Sequence, residues 1–163
     1  MTKKRLLLLI FGILIAVCLA IIWGNSMTPG NESGEMSGSF TEWLNGIVQK
    51  IFPSLTISHK FVRKAAHFTE FAILGALLCV ELFIWLCAKK RVFMLLAVPC
   101  SFLVALTDEF IQKFTEGRAS SFIDVLIDTS GATVAILVFF SAVMLNDFLK
   151  KRSRTEIREK VNT

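Results

Sequence analysis

The sequence predicts an all-α protein: an integral membrane bundle of four transmembrane helices, with an outer interfacial amphipathic helix. Three observations predict it. Apolar residues fill 54% of the 163 positions against 19% charged, and they collect in long blocks. That pattern belongs to a multispanning chain rather than to a soluble core. Most of the 18 basic residues stand at the ends of those blocks, where they read as topology signals. Between the first two blocks, residues 40–52 carry apolar side chains at helical spacing over a length too short to span.

The length fits a single membrane domain over residues 1–163. A net charge of +5 does not point to nucleic acid, because the cations sit at span ends rather than on one basic face. Cys18, Cys79, Cys87 and Cys100 all lie inside apolar runs. Their spacing matches neither a metal-ligand motif nor a disulfide framework, so they read as small packing residues.

Lys3, Lys4 and Arg5 precede the uncharged run 6–23. A cleaved leader shares that beginning, but the run is long for a leader core and no small-residue cleavage site follows. It is read as a retained first span, with Gly12, Ala16 and Ala20 as a small-residue stripe for helix packing. Residues 24–38, rich in Gly, Ser and Asn, are expected to form a loop on the far side of the membrane. Phe40, Trp43, Leu44, Ile47, Val48, Ile51 and Phe52 then form one apolar stripe, opposite Thr41, Glu42, Asn45, Gln49 and Lys50. This helix, about 40–52, is expected in the outer interface with Trp43 at headgroup level, or as a lid packed on the bundle.

The second span is expected over about 65–88, with His67, Glu70 and Glu81 on one helical face. Lys89, Lys90 and Arg91 mark an inner turn. After it, Val92–Leu106 is apolar but reaches only about 22 Å, short of a hydrocarbon core of about 30 Å. The third span, about 92–112, must therefore continue through Asp108, Glu109 and Gln112, past a possible kink at Pro99. Lys113–Ser121 is an outer turn with Gly117 as the turn residue and Ser120 or Ser121 as helix cap. The fourth span, about 122–146, carries Asp124, Asp128, Gly131 and Ala135 on one face. A basic cytoplasmic tail, 147–163, closes the chain. The basic clusters favour a multi-pass protein of the cell membrane with both termini cytoplasmic.

That topology gathers Arg63, Lys64, His67, Glu70, Asp108, Glu109, Gln112, Arg118, Asp124 and Asp128 at the outer ends of three spans. Carboxylates at the edge of hydrocarbon are expensive, so they are either paired or functional. In the structural reading, Arg63, Lys64 and Arg118 neutralise the carboxylates and hold the helix ends. In a binding reading, those three cations take a lipid phosphate, with Arg118 as the bidentate partner. In a third, the carboxylates and His67 hold a divalent cation, although no strict metal motif is present and no metal or other cofactor is assigned. In a fourth, His67 or Glu109 serves as general base of a hydrolase, but no nucleophile elbow or phosphate-gripping Gly loop accompanies it. Glu81, alone in the inner half, would be the residue a small dimeric transporter depends on.

Two stretches carry a family resemblance: RKAAHFTEFAILG (63–75) and DEFIQKFTEGRASSFIDVLIDTSG (108–131). They resemble the VanZ-like family, whose pattern reads R-K-x-x-H-F-x-E-Y-x-x-L-G, then D-E-x-x-Q, a turn with G-R, and D-x-x-x-N-x-x-G. Arg63, Lys64, His67, Phe68, Glu70, Leu74, Gly75, Asp108, Glu109, Gln112, Gly117, Arg118, Asp124 and Gly131 match it. Phe71, Glu116 and Asp128 depart, standing where Tyr, Pro and Asn are common. The founding member is associated with teicoplanin resistance. The resemblance implies a part in such resistance, and the outer-end residues themselves point to a site that limits lipoglycopeptide access or binds an anionic envelope lipid headgroup, with a membrane enzyme acting on a lipid or cell-wall precursor headgroup as the alternative.

Overall fold

A computed structural model describes residues 2–86 and 92–161, with side chains placed through Arg154. The expected inner turn at Lys89, Lys90 and Arg91, together with Cys87, lies outside the described residues. Five helices follow one another: α1 (Lys3–Met27), α2 (Gly30–Ile51), α3 (His59–Trp85), α4 (Val92–Lys113) and α5 (Phe122–Val161). The described residues contain no strand. All but α2 are long and apolar enough to cross a membrane.

The first difference from the sequence reading is the loop expected over 24–38. Instead α1 runs on to Met27, and only Thr28 and Pro29 separate it from α2. Local composition argued for a loop, but tertiary contacts override it. The Gly30 N–H donates to the Glu116 carbonyl at 2.9 Å, tying the start of α2 to the α4–α5 turn. Further along, Gly38 lies against the His59 ring and Thr41 is buried. The hydroxyls of Ser37, Ser39 and Thr41 donate to carbonyls four residues back, so these polar side chains are satisfied within the helix.

At the chain's end α5 continues unbroken to Val161, past the expected span limit near Asn146 and through most of the basic tail. Residues 147–161 contain no Gly or Pro and are rich in Lys and Arg, with Glu156 and Glu159 among them, residue types that favour helix. Helix α3 begins earlier than expected, at His59, because Ser58 caps it by accepting from the Phe61 N–H at 3.3 Å. Helix α4 runs through Pro99 to Lys113 and carries Asp108, Glu109 and Gln112 within it.

The most extensive contact joins α3 and α5. They run in the same direction, since Lys64 meets Asp124 near their starts and Phe83 meets Phe139 further along. The approach is close enough that a Cβ on Gly131 would overlap the Phe68 backbone, so no larger residue fits. Helices α1 and α4 run opposite to α3, as Lys4 reaches Trp85 and Phe93 reaches Phe83. At this end the core is aromatic: Phe83, Phe93 and Phe139 meet edge to face, with centroids 5.7–5.9 Å apart. Phe71, Leu74, Ala97, Ala105, Val125, Ala132 and Ile136 extend the core along the bundle. Large apolar side chains such as Leu9, Ile13, Leu103 and Val138 face outward, as helices solvated by hydrocarbon do.

Candidate functional site

At the opposite end the core turns polar. Ser26, Asp108, Glu109, Gln112 and Asp128 are all buried there. Helix phase explains the convergence. Asp108 and Gln112 are four apart on α4, as are Asp124 and Asp128 on α5, so each pair shares one helix face.

Most of these groups are bound to one another. Asp108 Oδ1 accepts from the Ser26 hydroxyl at 2.6 Å, and its Oδ2 accepts from Gln112 Nε2 at 2.9 Å. Gln112 Nε2 also donates to the Ser26 hydroxyl oxygen at 3.1 Å, closing a buried triangle between α1 and α4. Glu109 Oε2 accepts from the Ser121 N–H at 2.6 Å, immediately before α5. The Ser121 hydroxyl accepts from the Ile123 N–H at 3.3 Å, so Ser121 is the α5 cap. Lys64 Nζ pairs with Asp124 Oδ1 at 2.8 Å. Glu70 Oε1 accepts from Asn25 Nδ2 at 2.8 Å.

Arg118 does not pair with a carboxylate. Its Nε donates to the Thr28 carbonyl at 3.1 Å and its Nη2 to the Asn25 carbonyl at 2.7 Å, capping the end of α1. The turn that positions it depends on Gly117, whose φ of 70° lies in the left-handed region. Burial, and then the Arg63 charge, lower the Arg118 pKa from its usual value, while Asp108 and Glu109 oppose the shift.

Several groups remain unsatisfied. Both oxygens of Asp128 are buried without a hydrogen-bond partner, as are Glu109 Oε1 and His67 Nδ1. His67 Nδ1 stands 4.0 Å from Glu70 Oε2, too far for a hydrogen bond. His67, Asp108 and Asp128 each offer a ligand atom, all within 4.8 Å of one another. No sequence spacing marks this trio, because its members come from three different helices. Beside it, a cavity of about 620 Å³ opens between the end of α1, α2 and the start of α3. Asn25, Arg63, His67, Glu70 and Arg118 supply its polar lining, and Met36, Phe40, Leu44, Phe61 and Ile73 its apolar walls.

All ten residues singled out from the sequence lie at this end of the bundle. Arg63, His67, Glu70 and Arg118 line the cavity. Arg63, Lys64, His67, Glu109, Gln112, Asp124 and Asp128 surround a small void on the other side of α3. Asp108 lines neither and sits buried between α1 and α4. Glu81 is remote from the set, with one carboxylate oxygen buried and unpartnered. Neutralisation by neighbouring cations accounts for one ion pair in the set, Lys64–Asp124. Sequence reasoning missed Asn25, Ser26 and Thr28. Their signal was present, since Asn25 and Ser26 are side-by-side polar residues where the first apolar run ends.

Neither a curated protein nor a solved structure matches the chain. A family model described as VanZ/LLP1 matches residues 11–145, which takes in the end of the bundle where the polar groups converge, the second and third apolar spans whole, and most of the first and fourth. The chain therefore belongs to the VanZ-like family.

Proposed function

We propose that this VanZ-like membrane protein binds an anionic envelope lipid headgroup at the outer leaflet, and through that site lowers susceptibility to teicoplanin-type lipoglycopeptides. The observation that carries the reading is the cavity between α1, α2 and α3. Its lining joins two guanidinium groups, Arg63 and Arg118, to a wall of Phe40, Leu44, Phe61 and Ile73. An amphiphile with a phosphate at one end and an acyl chain at the other suits that division. In this reading the basic clusters at 3–5 and 150–154 hold both termini in the cytoplasm, so the polar end faces out. Helix α2 then lies in the outer interface, with the exposed Phe40, Trp43, Ile47 and Ile51 in the acyl boundary.

Arg63 is the residue to test, because it is exposed and lines the cavity, whereas Arg118 also holds α1. Flotation of the purified protein with phosphatidylglycerol or phosphatidylcholine vesicles measures the preference for an anionic headgroup. Arg63→Ala is expected to weaken the anionic preference about fivefold, and an unchanged preference would refute the lipid assignment. On susceptible Gram-positive cells, expression is expected to reduce binding of fluorescent teicoplanin and leave vancomycin unchanged. Equal binding of teicoplanin with and without the protein would detach it from the resistance role.

A second reading, a membrane enzyme acting on a headgroup, draws on the unpartnered His67 Nδ1 and Glu109 Oε1. Either atom is free to accept a proton as general base. Under that reading, His67→Ala or Glu109→Gln abolishes turnover of the headgroup while vesicle binding survives. Binding lost together with turnover counts against it.

A further inference from the structure

We propose that His67, Asp108 and Asp128 form a buried binding site for one divalent transition-metal ion. The proposal goes beyond lipid binding and does not depend on it. Three helices deliver the ligands: α3 gives His67, α4 gives Asp108 and α5 gives Asp128. Their donor atoms lie within 4.8 Å of one another. Metal–ligand bonds of about 2.0–2.2 Å hold neighbouring donor atoms roughly 3–4 Å apart, so small side-chain rotations close the set on an ion.

Asp128 is the observation that calls for a cation. It is 1% exposed, and neither oxygen has a hydrogen-bond partner. Asp108, Glu109, Asp124 and Glu70 all add negative charge around it, while Arg63 and Lys64 line the same small void. The cations of this region are engaged elsewhere or lie further out: Lys64 is on Asp124, Arg118 is on the α1 carbonyls, and Arg63 is exposed. A buried carboxylate among carboxylates is costly unless a positive charge joins it. A divalent ion supplies that charge at the one point all three ligands reach.

The surroundings are those of an oriented ligand set. Ser26 and Gln112 hold the Asp108 carboxylate from both sides, each oxygen keeping a lone pair for a metal. One imidazole with two carboxylates suits zinc, manganese or iron better than magnesium or calcium, which favour oxygen alone. His67 also lines the cavity, so the remaining coordination positions are within reach of water or of a ligand oxygen entering from that side.

The test uses the full chain in detergent, with the affinity tag removed and no lipid added, so its failure is separable from failure of vesicle binding. After treatment with a chelator, the protein is titrated with Zn²⁺, Mn²⁺ or Fe²⁺, and bound metal is counted. One equivalent is expected for at least one of these ions. Asp128→Asn and His67→Ala are expected to weaken binding at least tenfold, and Glu81→Gln, a carboxylate outside the trio, to leave it unchanged. Circular dichroism confirms that each variant is folded. Absence of saturable uptake of all three ions overturns the proposal, as does wild-type affinity in both trio variants. X-ray absorption of the metal-loaded wild type needs no variant. It is expected to show one imidazole, and a shell of oxygen or sulfur alone refutes the assignment.

Discussion

The two ends of this bundle are built from the same helices on opposite principles. At one end Phe83, Phe93 and Phe139 meet edge to face, with Phe140 beside Phe93. At the other, Asp108, Glu109, Gln112 and Asp128 are buried as Phe93 is, and among the described residues neither oxygen of Asp128 has a hydrogen-bond partner. Aromatic packing holds helices together in lipid through close contact. A buried unpartnered carboxylate does the reverse. The difference teaches that the aromatic end provides cohesion and the polar end spends it.

Substitutions can break or sharpen that contrast. The largest effect is expected at the α3–α5 seam, just inside the polar end. Gly131→Val drives a side chain into the Phe68 backbone, and a loss above about 4 kcal/mol shows as failure to recover monodisperse protein. At the cohesive end, Phe93→Ala leaves a cavity among three rings and is expected to cost roughly 3 kcal/mol, read as a lower unfolding midpoint in detergent. At the polar end, Ser26→Ala removes the short bond to Asp108 and is expected to cost about 2 kcal/mol. Asp128→Asn should have the opposite sign, raising the midpoint by about 1 kcal/mol in the presence of chelator. A fall there would mean that the carboxylate contributes cohesion after all. The smallest effect belongs to Lys64→Ala. Its ion pair with Asp124 is 42% and 25% exposed, so a change below about 1 kcal/mol is expected.

Much of this contrast was legible in the sequence. Long apolar runs announce spans, and polar residues repeating at three and four positions inside them announce a shared face, which is why His67, Glu70, Asp108, Gln112, Asp124 and Asp128 stood out. What was not legible depended on contacts between distant segments. Gly30 and Glu116 meet only in the folded chain, so the stretch before Phe40 looked like a loop. Ser26 looked like the start of that loop because its partner, Asp108, is far along the chain. The spacing within any one helix also could not reveal that one residue from each of α3, α4 and α5 meets at a point.

The Arg118 contact with α1 bears on the order in which the molecule is completed. The carbonyls of Asn25 and Thr28 leave the ribosome long before the guanidinium that donates to them. Until the α4–α5 turn arrives, the Asn25 carbonyl has only the Thr28 N–H as donor, and the Thr28 carbonyl is left to solvent. The stretch 108–131 therefore completes a helix made some ninety residues earlier, and a chain ending before Arg118 leaves the Thr28 carbonyl without that donor.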